Sequence, residues 1–317
     1  MFFRFRDAAM RRVFNRAAEA ILDTPAMPAS AAGAPAGPSG PASDAAPDVA
    51  IVSQLRSKDL LPYLVAVKSF RARFGRGRIV VVDDGSLTSD DRAAIERHLG
   101  RVTFRPLSDG WIDGLPRGGC WERICVIAQE CRDAYVIQVD ADTVTLGPVA
   151  EVTALADANR PFAIADAPTP GVATFDEMLD YHAARRSDPI DHMQIAAEMA
   201  MKTAGLPEGR RYLRGSAAFA GFPKGADLFP LLHEIHAAMS TAIGAQWSEW
   251  GSEQVASNYA VANLGNAATL APPGYVNHTP ETDLDGASFV HFFGTYRHHG
   301  GRYARAARSA IRDLSRA

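Results

Sequence analysis

The chain is short of cysteine, of net charge and of long apolar runs, and each scarcity excludes something. Its three cysteines, Cys120, Cys125 and Cys131, sit in one short segment of 317 residues. The number is odd and no two are spaced CxxC, so neither a disulfide framework nor a zinc–thiolate site is expected. The plain expectation is reduced thiols packed along one helix, in a cytoplasmic protein. A formal net charge of -3 provides no overall basic field for nucleic acid. No apolar run approaches the roughly 20 residues that a spanning helix needs. Arginines interrupt the N-terminal stretch "MFFRFRDAAMRRVFNRAAEAIL", so it is not a secretory signal. No repeat of solenoid period is present. What remains is an ordinary globular composition, 47% hydrophobic and 22% charged, long enough for one large domain or two small ones.

The chain divides by composition. Residues 1–23 are expected to form a basic amphipathic helix. Met10, Val13, Phe14, Ala17, Ala18 and Ile21 recur at helical spacing, and Arg4, Arg6, Arg11, Arg12 and Arg16 outnumber Asp7 and Glu19. Such a helix lies on an anionic membrane surface or docks on its own domain or a partner. Residues 24–48 are nearly all Ala, Pro, Gly and Ser, and read as a disordered linker. From residue 49 strands and helices alternate. Strands are expected at 49–55, 78–86, 101–107, 134–140 and 161–166, with helices at 59–74, 88–99 and 118–131. Further helices are expected within 174–204, 225–243 and 251–262. This alternation implies an α/β fold with a mostly parallel sheet flanked by helices, in a single catalytic domain over 49–300. Residues 301–317 form a second basic helix, with Arg302, Arg305, Arg308, Arg312 and Arg316 at three- and four-residue steps.

Ligands of such sheets bind beyond the carboxyl ends of the strands, and two acidic clusters fall there. "RIVVVDDGS" ends on Asp83 and Asp84, and "YVIQVDADTVTLGP" on Asp140 and Asp142. Alternate residues of a strand share a side, so Asp140 and Asp142 can face one point. Two hard oxygen ligands suit Mg²⁺ or Mn²⁺, above all when phosphate completes the shell. The spacing is weak by itself: a second pair, Asp283 and Asp285, follows a polar loop and reads as a turn.

Context strengthens the first pair. "VIQVDADTV" is similar to the hhhDxD motif of nucleotide-sugar glycosyltransferases with the GT-A (Rossmann-like) fold, and "IVVVDDGSLTSDD" resembles their second strand. "GCWERICVIA", "YLRGSAAFAGFPKG", "SEQVASN" and "FVHFFGTYR" resemble, in order, the YsRl, NsG, DQdxxN and HFxGxxK segments of family 8, the glycogenin- and lipopolysaccharide galactosyltransferase-like enzymes. The resemblance spans about residues 49–300. It implies a metal held by Asp140, Asp142 and His291. Arg297 takes the place of the family lysine at the diphosphate, and Arg123 reaches the donor sugar or phosphate. Asp84, with Asp83, contacts the base, Ser216 lines the sugar pocket, and Gln254 lies near the anomeric carbon beside Glu253. The implied donor is a nucleotide-sugar, a UDP-sugar in the first instance, and the acceptor a glycan or glycolipid. The basic terminal helices would permit peripheral contact at the inner face of a membrane. The chain departs from the family pattern at "TYRHHG", at Glu253 in place of Asp, at Arg214-Gly215-Ser216 without Asn, and in a "DDGS" more typical of inverting family 2.

Retaining and inverting chemistry stay open. A general base would come from Glu249, Glu253 or Asp283; a retaining reaction would need a carbonyl such as that of Gln254. His298 and His299 match His291 when taken in isolation. Of Trp111, Trp121, Trp247 and Trp250, most are expected in the core. "DADTV" also satisfies a haloacid-dehalogenase phosphatase pattern, with Asp140 as nucleophile and Asp142 as general acid, although three strands precede it. A degenerate sugar-nucleotide-binding protein is the third reading. No Gly-rich loop with lysine follows the first strand, as a nucleotidyltransferase would require.

Overall fold

A computed structural model describes residues 2–27, 48–165, 171–185 and 192–316. In chain order it begins with α1 (Phe2–Glu19), β1 (Val49–Leu55), α2 (Leu60–Phe74), β2 (Arg78–Asp83), α3 (Ser89–Leu99), β3 (Val102–Pro106), α4 (Trp121–Glu130) and β4 (Tyr135–Val139). There follow β5 (Thr143–Thr145), α5 (Ala150–Asp157), β6 (Phe162–Ala165), β7 (Val172–Ala173), α6 (Phe175–Ala183), α7 (Met193–Ala200), β8 (Tyr212–Leu213) and β9 (Gly215–Phe222). The chain closes with α8 (Phe229–Ile243), α9 (Ser252–Asn263), β10 (Ala268–Leu270), β11 (Tyr275–Asn277), β12 (Phe289–His291) and α10 (Arg302–Leu314). The fold is α/β, with a principal sheet of seven mostly parallel strands flanked by helices. Two compact units are distinguishable: Met1–Pro106 with Val139–Ala154 and Ala271–Ala317, and Leu107–Gln138 with Leu155–Leu270.

In the first unit β1, β2 and β3 pair in parallel, with Ile51 beside Ile79 and Val80 beside Thr103. Ile51, Val52, Val80, Val81 and Val82 are fully buried, because a parallel sheet covered on both faces needs apolar residues at consecutive positions. α3 starts on a capping box: Asp91 N donates to Thr88 Oγ1 at 3.1 Å, and Thr88 N donates to Asp91 Oδ2 at 2.9 Å. A small second sheet places β12 between β11 and β5.

The N-terminal helix docks on its own unit. Phe14, Ala17, Ala18 and Ile21 are buried, and α1 packs on α10 and α2. The facing side of α10 is Tyr303, Ala304, Ala306, Ala307, Ala310 and Ile311, all buried. The apolar stripe on α1 is thus used within the chain, while Arg11, Arg12, Arg16, Arg305, Arg308 and Arg312 stay exposed. Among the described residues no helix is long and apolar enough to cross a membrane. Most of the expected linker, residues 28–47, lies outside the described residues. Its first residues are tied down: Lys68 Nζ donates to Thr24 Oγ1 and, at 2.8 Å, to Pro25 O, and Met27 N donates to His98 O at 3.0 Å.

In the second unit the strands run β10, β6, β9, β4, with β10 parallel and β9 antiparallel to β6. β9 was not expected, because "GSAAFAGF" lacks β-branched residues. Close approach accounts for it. A Cβ at Gly221 would overlap Phe162 and the Tyr135 hydroxyl, and one at Gly215 would overlap the Ile164 carbonyl. The segment 174–204 contains two helices, α6 and α7, and residues 186–191 between them lie outside the described residues. The expected strand 161–166 is β6; its last residue, Asp166, is likewise outside. Cys125 and Cys131 are buried free thiols of the α4 segment. Burial, with Glu122 and Glu253 adding to it, pushes the Cys125 thiol up to about 12, which leaves it unreactive.

Candidate active site

Register builds the centre of the site. β12 runs antiparallel to β5, which sets His291 opposite Thr143, and parallel to β11, which sets His291 beside Asn277. Asp140 and Asp142 bracket the turn from β4 to β5. Thr143 closes that turn, its N donating to Asp140 O at 3.3 Å and its Oγ1 at 2.8 Å. Phe292 N donates to Asp142 O at 2.8 Å. Residues nearly 150 positions apart in the chain thereby meet. His291 Nε2 stands 3.5 Å from Asp142 Oδ1, and the Arg297 guanidinium holds Asp142 Oδ2. Arg297 is aimed by its own Nε, which donates to Phe292 O at 3.1 Å.

Burial raises the Asp142 carboxyl, but His291 and then Arg297 outweigh it and bring the group down to about 2. Burial lowers Arg297, and the Asp142 charge more than offsets this, so the guanidinium holds its proton more firmly than usual. The imidazole of His291 is flanked by two acceptors, Asn277 Oδ1 at 2.8 Å from Nδ1 and the Asp142 carboxylate at Nε2. An imidazolium donates to both of them, and a neutral ring to only one. If Nδ1 donates to Asn277, the Nε2 lone pair faces a carboxylate, and a cation between them removes the conflict. In that tautomer Nε2 and the Asp142 carboxylate are two atoms that could ligate a cation, with Asn277 as the outer hydrogen-bond partner.

The full ligand set expected from sequence is not assembled. Among the described residues no group of three or more His, Cys, Asp and Glu converges on one point. The geometry brings together Asp142 and His291, with Arg297 on the carboxylate's second oxygen. Two protein ligands still fit Mg²⁺ or Mn²⁺, which commonly take several ligands from phosphate and water.

The other expected residues fall as follows. Asp83 is buried, ion-paired with Arg92, and accepts from Gly85 N at 2.8 Å; Asp84 Oδ1 accepts from Ser86 N at 2.9 Å and Ser86 Oγ at 2.6 Å. Both carboxylates thus shape the "DDGS" turn. His298 stacks near Phe14 and Tyr303, at 5.7 and 5.9 Å between ring centroids, which distinguishes it from His291. Asp283 Oδ1 accepts from Asp285 N at 3.0 Å, the expected turn.

In the second unit Arg123 and Glu253 form a buried pair at 2.9 Å. Gln254 Nε2 donates to Gln194 Oε1 at 2.9 Å. Ser216 Oγ accepts from Ala218 N at 3.2 Å. Trp121 and Trp247 are core residues packed edge to face at 6.1 Å, whereas Trp111 and Trp250 are exposed, and Glu249 is exposed beside Trp250.

Several contributors escaped sequence reasoning. Asn277 orients His291. Tyr303 OH donates to Ala141 O at 3.3 Å, between the two aspartates, and its ring stacks on Phe292 at 4.6 Å. Burial and the Asp142 charge hold the Tyr303 phenol well above its ordinary value. Asp59, which Arg56 pairs at 2.8 Å, adds negative field at Arg297. None belongs to a short motif, so no local signal marks them.

No family model matches the chain, and no curated protein matches it. Solved structures are similar to it at low identity. The galactosyltransferase LgtC, in complex with donor and acceptor sugar analogs, shares 15% identity over 81% of this chain and 94% of LgtC, with a TM-score of 0.43. The bifunctional glycosyltransferase WbbM in its apo form shares 13% over 78% of this chain, which spans only 46% of WbbM, with a TM-score of 0.46. Core-mannan synthase A (CmsA/Ktr4) from Aspergillus fumigatus, in an Mn/GDP form, shares 11% over 79% of this chain and 80% of its own, with a TM-score of 0.40.

Proposed function

We propose that this chain is a metal-dependent glycosyltransferase that moves a sugar from a nucleotide-diphosphate donor, a UDP-sugar in the first instance, to a hydroxyl of a glycan or glycolipid. The observation that carries this reading is the Asp142 carboxylate after β4, bracketed by His291 and Arg297 from the C-terminal segment. Departure of a nucleoside diphosphate piles negative charge on phosphate oxygens, and a site that stabilises it needs fixed positive charge nearby. Arg297 supplies such charge, aimed by the Phe292 carbonyl. Asp142 and His291, with Asp140 in the same turn, would hold a divalent ion, Mn²⁺ or Mg²⁺. When bound, that ion neutralises the leaving diphosphate as a Lewis acid. Asn277 Oδ1, 2.8 Å from Nδ1, orients the His291 ring with Nε2 toward Asp142. On this reading Arg123 and Glu253 meet the donor sugar, Ser216 lines its pocket, Gln254 stands at the reacting carbon, and Asp84 meets the base. The phosphatase reading needs Asp142 as a general acid, yet the Arg297 guanidinium on its Oδ2 favours the ionised carboxylate.

The test is incubation with Mn²⁺ and a panel of UDP- and GDP-sugars, scored for slow donor hydrolysis. Asp142→Asn is expected to weaken metal-dependent nucleotide binding by about 100-fold or more. No turnover of any donor together with no metal-dependent nucleotide binding defeats the proposal, and so does unchanged binding by Asp142→Asn.

A further inference from the structure

A chain of side-chain amides in the second unit decides which atom Gln254 presents. Glu198, on α7, is fully buried. Its Oε2 faces the Arg214 guanidinium and His182 Nε2, the latter at 2.7 Å. The charge beside a permanent cation makes this carboxylate an acceptor. Gln194 lies one turn earlier on the same helix face, and the atom it places 2.9 Å from Glu198 Oε1 must therefore be its NH₂. Its carbonyl oxygen then points the other way, to the atom of Gln254 that lies 2.9 Å off. An oxygen there would face an oxygen, so Gln254 must offer its Nε2. The polarity of each amide follows from the one before it, starting from the buried charge. Gln254 is left half-buried with Oε1 as its unengaged end.

We infer that Gln194 and Glu198 are positioning residues that lock Gln254 with its carbonyl oxygen outward, presented to an electron-poor partner on the donor sugar. This inference rests on the transferase reading for the identity of that partner. The relay itself follows from hydrogen-bond polarity alone. Without Gln194 the Gln254 amide is free to turn over, and its NH₂ would meet the same partner with the wrong sign.

The experiment separates the two layers. The chain has six glutamines, so selective ¹⁵N-glutamine labelling yields six side-chain NH₂ pairs, with Gln254→Leu identifying the one sought. In the wild type the Gln254 pair is expected to exchange slowly with solvent, and in Gln194→Met to exchange as a free amide. Turnover in Gln194→Met is expected to fall at least about tenfold in kcat with donor KM held within roughly twofold, because the lost effect belongs to the transition state. Glu198→Gln leaves Arg214 without its carboxylate and is the harsher variant; Gln194→Met keeps the test open if that protein does not fold. A Gln254 pair that exchanges freely in a wild type that turns over donors overturns the relay. An unchanged kcat in Gln194→Met overturns the positioning role. A protected Gln254 pair in a protein that turns over no nucleotide-sugar overturns that role together with the transferase reading.

Discussion

Truncating Phe14 to alanine should release the N-terminal helix without unfolding the unit that it covers. Phe14 is 1% exposed and stacks on Tyr303 with ring centroids 3.8 Å apart and planes 21° apart. Among the residues whose burial is described, the others buried on α1 and the turn after it are Ala17, Ala18 and Ile21. Alanines bury little area, so among these four residues Phe14 and Ile21, at about 1.5–3 kcal/mol each, supply most of the docking energy. Phe→Ala at a buried site costs about 3–5 kcal/mol through lost transfer energy and the cavity left behind. What Ile21 retains does not offset the backbone entropy of holding the segment, and a helix of this length is marginal by itself. Local opening is therefore expected. At 1.4 kcal/mol per factor of ten, protection of α1 amides should fall by about 100-fold or more. Hydrogen exchange read by mass spectrometry checks this. Loss should spread into the first turns of α10, where Tyr303 loses its stacking partner, and should spare β1, β2 and β3. Phe14→Leu, which refills most of the space, should lose much less. Unchanged α1 exchange in Phe14→Ala, or an equal loss in the central strands, would refute the reasoning.

Two further outcomes follow from buried charge. Arg123→Met removes the cation paired with Glu253 where both side chains are under 10% exposed, and should destabilise the protein by about 3–5 kcal/mol in urea denaturation. The double variant Arg123→Met/Glu253→Met should regain most of that stability but no donor turnover; a double variant as weak as the single one refutes the pairing. Lys68 is buried, and desolvation brings its ammonium from 10.5 down to about 8. Between these values the unfolded chain binds a proton that the folded chain does not, so stability should rise with pH from about 8 to 10.5. The same titration of Lys68→Met should lack this rise, and a parallel slope in both proteins would contradict it.

Much of the fold was legible because its signals are local. The consecutive apolar residues of β1, β2 and β4 announce themselves within a few positions, and so did the strand ends that carry Asp83, Asp84, Asp140 and Asp142. β9 was not legible, since small residues there reflect close approach by Phe162, Tyr135 and Ile164, which lie 50 or more positions away. The amphipathic stripe on α1 was visible, but its destination was not: an apolar face reads the same whether it meets lipid or α10. Motif order singled out His291 over His298, and the structure bears on why. One ring lies in register with Thr143 and Asn277, whereas the other packs against Phe14 and Tyr303.

By itself, then, the amino-acid order determined the α/β alternation, the acidic strand ends and the residue types available for the proposed diphosphate site. Periodicity and hydrogen-bonding chemistry are properties of neighbouring residues, and those are written in order along the chain. Only the tertiary structure decided the partners: Asp142 with His291 and Arg297 instead of a three-ligand cluster, Arg123 with Glu253, and Gln254 with Gln194 and, through it, Glu198. Those pairings depend on strand register and helix packing across separations of 60 to 155 residues. At such distances the cost of bringing chain segments together is repaid by the whole core, so no short stretch of sequence encodes which side chains will meet.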